Sequence, residues 1–283
     1  MKDKLIVPLV ALSLLFGAGI NIKIDAAVNA KGEGAGAAID WKKHTVTSYG
    51  TAGISIDYSG MPVTGYKESR TSINDARMNA YAAAKDIAAE RLVAALKDLP
   101  VTQDATLGKL LTESSQTRQG LSYAIENSKQ EFYPTGFDSS GCKIKLSFGD
   151  ILAALPFSFP EEDFPSRMDT PIPTRYTGLI VDGRGLNIKP MMFPVIYNKH
   201  GLEIVSRLNI NGAAALKHGM VCFVKNETEA KSIKRLGEHP LYAAAIEDNR
   251  GCPVLSERDV RRIFSAPDNL QALRECRIVF ITD

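Results

Sequence analysis

The sequence has 283 residues, a formal net charge of +2, 45% hydrophobic and 7% aromatic side chains. The near balance of charge argues against nucleic acid as the main ligand, because neutralising phosphates supplies most of the non-specific affinity for it. The basic cluster that we identify, Arg258, Arg261 and Arg262, fits a solvated helix face. The apolar fraction excludes a disordered chain, and the length favours two domains.

The first 30 residues have the composition of an export signal. Two lysines precede an apolar run, Leu5–Ile20, and Val28-Asn29-Ala30 supplies small residues where a signal peptidase cuts. The alternative is an uncleaved membrane anchor, but this run is shorter than the ~20 apolar residues that a bilayer requires. We therefore expect a signal peptide over residues 1–30, a mature chain that begins near Lys31 and a periplasmic location.

Residues 31–155 predict a first domain of a strand, two helices and a hairpin. The stretch 44–58 alternates in polarity and predicts a strand, in which Gly50 and Gly53 mark a bend or bulge. A long helix should begin at Ser72 with a capping box and stop before Pro100. Its apolar residues recur at every fourth position: Ala76, Ala80, Ala84, Ala88, Leu92 and Leu96. A shorter helix is expected over 106–117, followed by strands over 121–133 and 142–148.

Five prolines between 156 and 173, together with Glu161, Glu162 and Asp163, predict an extended linker over 156–175. Residues 176–283 then alternate between short strands and short helices, which is typical of a partly parallel sheet. The predicted strands cover 177–182, 191–197, 202–205, 220–224, 241–246, 253–255 and 277–281. We predict an α+β chain of two small domains, each a short sheet covered by helices, the second with partly parallel α/β character.

The sequence carries four cysteines and a glycine-rich turn that are candidate functional residues. Cys252 and Cys276 each precede a strand of the same predicted sheet, so we consider them a possible disulfide in an oxidising compartment, with buried thiols as the equal alternative. Asp182 and Arg184 follow a strand in the segment Asp-Gly-Arg-Gly and form the candidate binding loop. A local salt bridge between the two is the favoured alternative.

No pattern of catalytic residues stands out in the sequence. There is no G-x-S-x-G nucleophile elbow and no H-E-x-x-H pair, and the four histidines lie far apart without the spacing of metal ligands. We therefore predict no enzyme activity, no cofactor and no metal site.

Two regions resemble known families. The segments 49–53, 76–92 and 120–148 resemble the small bacterial outer-membrane lipoproteins that include flagellar basal-disk and H-ring proteins. The segments 177–182 and 277–283 resemble a domain that accompanies them in some bacterial proteins of unassigned role. No cysteine follows the signal, so any association with the outer membrane is expected to be indirect.

This resemblance implies a non-catalytic structural or assembly role in the cell envelope, within a flagellar or other ring complex. The expected partners are envelope proteins and further copies of the chain, with no nucleic acid. The alternative is a periplasmic module that binds a small molecule or a glycan at the turn of Asp182 and Arg184, and a hydrolase ranks third.

Overall fold

The computed structural model describes residues 36–57, 59–64, 69–165 and 173–283. The predicted signal peptide, 1–30, and part of the predicted linker lie outside these residues. Within the described residues, no helix is both long and apolar enough to cross a membrane. Strands and helices are mixed in separate sheets, and the α+β class predicted from the sequence is confirmed.

The chain divides into two compact units that are each built from separate stretches of sequence. Of the described residues, unit 1 takes those within 36–39, 46–97 and 118–146, and unit 2 takes those within 40–45, 98–117 and 147–283. The predicted boundary near residue 156 therefore differs from the observed division. Residues 40–45, 98–117 and 147–155 belong with the C-terminal residues, which their position in the sequence does not reveal.

The described part of the N-terminal half contains six strands and four helices. The strands are β1 (Ala37–Asp40), β2 (Thr45–Gly53), β3 (Val63–Thr64), β4 (Ser69–Arg70), β5 (Lys129–Pro134) and β6 (Ser139–Ser147). The helices are α1 (Ile73–Lys97), α2 (Leu107–Glu113), α3 (Ser115–Glu126) and α4 (Phe148–Ala153). One sheet has the order β1-β2-β6-β5, with β5 and β6 antiparallel, and β3 pairs with β4.

Helix α1 begins and packs as its sequence predicts. The hydroxyl of Ser72 accepts a hydrogen bond from the backbone N–H of Asp75 at 3.1 Å, which satisfies one of the free donors of the first turn. All six residues of the predicted every-fourth-residue pattern are buried. A Cβ on Gly50 of β2 would lie 2.0 Å from the carbonyl oxygen of Ala84, so strand and helix meet backbone to backbone.

The strand predicted over 121–133 is wrong in its first half, which belongs to α3. The buried residues Thr117, Leu121 and Ile125 are four positions apart and line one face of that helix. The chain becomes extended only at β5, which forms a hairpin with β6 across residues 135–138.

The C-terminal half contains seven strands and four further helices. The strands are β7 (Leu179–Asp182), β8 (Ile196–Asn198), β9 (Glu203–Val205), β10 (Cys222–Val224), β11 (Leu241–Asn249), β12 (Cys252–Leu255) and β13 (Ile278–Ile281). The helices are α5 (Gly212–His218), α6 (Glu227–Lys231), α7 (Glu257–Ile263) and α8 (Pro267–Arg274). The sheet order is β10-β13-β7-β11-β12-β8-β9, and its first four strands are mutually parallel, as predicted.

Side chains of this sheet alternate between two buried faces. On one face, Ile180, Val279 and Ile281 pack in a cluster with Ala230 of α6 and with Leu236. The neighbouring residue Phe280 contacts Phe223 at 5.5 Å between ring centroids, within an aromatic row on the other face. Both faces are covered, which is the usual condition of parallel strands.

The first half of the predicted linker packs on unit 2 and is not a free spacer. The rings of Phe157 and Phe159 lie 5.3 and 5.8 Å from that of Phe193, and the ring of Phe164 lies 6.4 Å from that of Phe264. The proline-rich composition predicted the lack of helix and strand there. The interspersed aromatic residues account for its attachment.

Candidate binding site

The candidate binding loop lies at the carboxyl end of β7, where Asp182 and Arg184 pair with each other. Arg184 donates from Nε to Oδ1 of Asp182 at 2.9 Å and from Nη2 to Oδ2 at 2.5 Å. Tyr242 of β11 donates its hydroxyl to the same Oδ2 at 2.5 Å, and Glu227 Oε1 lies 3.4 Å from that hydroxyl. The two predicted residues therefore form a closed polar cluster with two residues that the sequence did not single out.

The charges of this cluster satisfy one another. Hydrogen bonding from Arg184 holds the pKa of Asp182 well below its ordinary value, and Tyr242 adds to that effect. Burial and the adjacent carboxylate raise the pKa of Tyr242 to about 12. Asp182 is thus ionised and Tyr242 protonated at neutral pH. A ligand at this turn would have to displace an internal partner, and ligand binding here stays a prediction.

The structure does not bring Cys252 and Cys276 together. All four cysteines are free and buried, and the strand that Cys252 begins is separated from the strand after Cys276 by β7 and β11. Strands lie about 4.8 Å apart, so this separation exceeds the reach of a disulfide. The possible disulfide between Cys252 and Cys276 is therefore wrong, because their two strands belong to one sheet but are not neighbours in it. Burial raises the pKa of Cys276 to about 12, which keeps its thiol protonated.

A cavity of about 430 Å³ in unit 2 has an unusual charge distribution. Its lining includes five cationic side chains and two imidazoles, and no acidic residue lines it. We call it the basic cavity and define it by Lys42, Lys43, His44, Lys217, His218, Lys234 and Arg235. These residues come from the segment before β2, the end of α5 and the stretch after α6.

Arg235 has a fixed position in the wall of the basic cavity. Its Nη1 donates to the backbone oxygens of His218 at 2.7 Å and Gly219 at 3.0 Å, and its Nη2 to that of Ile278 at 3.3 Å. Burial lowers its pKa, since a low dielectric disfavours the charged form. None of the ion pairs within the described residues includes Arg235, so its charge faces neutral carbonyl groups.

His44 is neutral and oriented by its contacts. Its Nε2 lies 2.9 Å from the backbone oxygen of Val221, which can only accept, so the ring proton is on Nε2 and Nδ1 is an acceptor. The ring meets that of Phe148 edge to face at 5.5 Å. Burial lowers its pKa to about 4. The residue also has a positive φ of 54°, which is uncommon for a side chain of this size.

The basic cavity was missed because its parts are distant in sequence. Each part is a basic doublet, Lys42-Lys43, Lys217-His218 or Lys234-Arg235, and one doublet alone predicts only a solvated surface. The sequence offered one indication of the cavity, because each doublet lies beside the end of a predicted helix or strand. Within the described part of the chain, no group of three His, Cys, Asp or Glu side chains is placed to hold a metal ion.

A similarity to a known protein family covers unit 2 from β7 onward. Residues 178–283 are similar to the second domain of Treponema pallidum Tp0624. The matched range agrees with the predicted C-terminal domain over 176–283. No match is found among curated proteins. The similarity does not extend to the N-terminal half, where the resemblance to flagellar lipoproteins stays a prediction.

Proposed function

We propose that the chain is a non-catalytic protein of the bacterial cell envelope with a structural or assembly role. The observation that carries this proposal is an exposed aromatic surface on unit 1. Phe137, between β5 and β6, is 83% exposed, and Phe132 of β5 is 50% exposed. Soluble proteins rarely leave grouped aromatic side chains in water unless they meet a partner there.

The two phenylalanines border one face of α1. Arg77 lies over the ring of Phe137 at 5.4 Å, and Tyr81 meets the ring of Phe132 edge to face at 5.7 Å. Arg77 and Tyr81 are one helical turn apart, so these contacts place both rings along the same side of the helix. We call Tyr81, Phe132 and Phe137 the aromatic patch.

The edge strand β5 supports contact through side chains and not through strand addition. It lies at the end of the four-stranded sheet and carries Lys129, Glu131 and Pro134. Charged residues and proline on an edge strand discourage pairing with another chain. A partner would therefore meet the aromatic patch, and in the proposed closed ring that partner would be a further copy of this chain.

The remaining parts of the proposal rest on the sequence. Periplasmic residence rests on the predicted signal over residues 1–30, and a flagellar or other ring complex rests on the resemblance of the N-terminal half. The absence of a catalytic role rests on the lack of a recognisable pattern of catalytic residues in the sequence.

Sedimentation velocity across a concentration series tests the assembly role. We expect the wild-type protein to self-associate or to retain an envelope protein from extract, and Phe132→Ser/Phe137→Ser to remain monomeric. The control is Tyr123→Ser, because Tyr123 lies on α3 and is 70% exposed outside the patch. A wild-type monomer at every concentration, with no envelope protein retained, contradicts the proposal.

A further inference from the structure

We propose that the basic cavity of unit 2 binds a phosphate-bearing anion, either a soluble phosphoester or the headgroup of an anionic phospholipid. Nothing in the similarity to Tp0624 or in the assembly role assigns such a site. The inference rests on the charges, the fixed donors and the size of the cavity.

The charge balance favours an anion with more than one negative charge. Lys42 and Lys43 have carboxylate partners, since their Nζ atoms lie 3.5 Å from Glu229 and 3.6 Å from Asp40. The other three cations, Lys217, Lys234 and Arg235, form no ion pair with any described residue. A phosphomonoester carries about −1.5 to −2 charges at neutral pH, which matches these three cations better than a single carboxylate does.

Arg235 supplies the strongest argument for a missing counter-charge. Burying a cation beside neutral carbonyls costs free energy unless an anion compensates it. A purely structural role is also available, because its contacts with His218 and Gly219 satisfy the last carbonyls of α5. That role explains the position of one arginine but not the adjoining unpaired lysines.

The cavity has the size and the lining of a small-molecule site. Its volume of about 430 Å³ lies within the range of roughly 300–1,000 Å³ that is usual for such sites. Leu216, Cys222 and Ile233 provide apolar lining, and Thr45 provides a hydroxyl group. A second cavity of about 480 Å³ shares the cationic residues Lys217, Lys234 and Arg235, so the ligand can extend beyond the phosphate.

Two binding measurements on the full chain test the site. The first titrates inorganic phosphate and follows the ³¹P resonance, and the second sediments the protein with vesicles that contain phosphatidic acid, whose headgroup is a phosphomonoester, or with vesicles of phosphatidylcholine alone. Binding of free phosphate identifies a soluble phosphoester site. Retention on phosphatidic acid vesicles alone identifies a headgroup site.

The decisive variant is Lys217→Gln/Lys234→Gln, which removes two exposed cations without touching the backbone contacts of Arg235. We expect its affinity for the bound probe to fall about tenfold or more, since charge-assisted hydrogen bonds are lost. The matched control, Lys199→Gln/Lys231→Gln, removes the same charge from exposed positions outside the cavity and should bind as wild type. Circular dichroism verifies that both variants are folded.

Two results overturn the proposal. One is a wild-type protein that binds neither phosphate nor phosphatidic acid vesicles. The other is an equal loss of binding in both double variants, which would assign the effect to net charge and not to the cavity. Neither result bears on self-association through unit 1, so this test and the sedimentation test fail independently.

Discussion

The two units bury their sheets with opposite kinds of side chain. In unit 1, alanines of α1 let the helix approach β2 until Gly50 meets the backbone of Ala84 and Ala88. In unit 2, one face of the sheet is covered by an aromatic row, in which Trp41 lies 5.1 Å from Phe148 and 5.7 Å from Phe223. Unit 1 gains stability from close contact, and unit 2 from a large buried area.

This difference determines how each unit should respond to mutation. A backbone contact cannot adjust, because no rotamer change relieves a clash with a carbonyl group. The rings of an aromatic row can shift in position, but each ring contributes a large part of the buried area. Small changes of volume should therefore damage unit 1 more, and changes of charge should damage unit 2 more, since its buried ionisable groups are more numerous.

The largest effect is expected from Gly50→Ala. The new Cβ would lie 2.0 Å from Ala84 O and 2.5 Å from Ala88 N, so helix or strand must move. We expect a loss of about 3 kcal/mol or more in the free energy of unfolding, measured by chemical denaturation.

Gly53→Ala is the matched control in the same strand, because the nearest atom to its new Cβ is Asp138 O at an ordinary 3.6 Å. A similar loss in both variants would show that strand flexibility, and not the contact with the helix, requires glycine at position 50.

The next effect concerns the pH dependence of unit 2. The fold lowers the pKa of His44 from 6.5 to about 4, so its neutral form is favoured in the folded state. Stability from this source is complete above pH 6.5 and is lost as the pH falls toward 4. Asn tolerates a positive φ, so His44→Asn should still fold. Its free energy of unfolding should fall by about 2 kcal/mol less on acidification than that of wild type.

Unfolding curves at pH 7 and pH 4.5 measure this difference, with exposed His239→Asn as the control. If wild type and His44→Asn lost the same stability on acidification, the burial of His44 would be excluded as the cause of that loss. The neighbouring charges that act on this imidazole are Arg235, Asp40 and His218.

The smallest effect is expected at the polar cluster of Asp182. Its lowered pKa means that the ionised form stabilises the fold above pH 3.8, and that this stability is lost as the pH falls through the lowered value. Asp182→Asn should cost about 1 kcal/mol at pH 7 and less in acid. Asp268→Asn is the control, because its pair with Arg175 is more exposed. If the difference in unfolding free energy between wild type and Asp182→Asn did not change with pH, the ion pair would be excluded as its cause.

Sequence patterns predicted the helices and strands whose buried residues follow a regular spacing or form a continuous run. Helix α1 shows its buried face at every fourth residue, and the strands β7, β10 and β13 are short apolar runs. Helix α5 was missed because only Ala215 of its seven residues is buried, which leaves no apolar period to detect.

The site could be predicted only where its residues are neighbours in sequence. Asp182 and Arg184 are two positions apart, and their local salt bridge was the favoured expectation. His44 and Val221 are 177 positions apart, and no sequence period links them. The basic cavity depends on such long-range contacts, as does the assignment of residues 40–45 to unit 2.

The chain is synthesised from its N-terminus, so the position of β13 in the sequence determines when the sheet of unit 2 can form. This strand is the last strand of its sheet in sequence and lies between β10 and β7, so neither of those strands has its central neighbour until residue 281 has been made. Unit 1 has all its residues by position 146. At about 5–20 residues per second, the ribosome would complete the residues of unit 1 on the order of 10 s before those of β13. During that interval, Trp41 and His44 have been made but await the strands against which they pack.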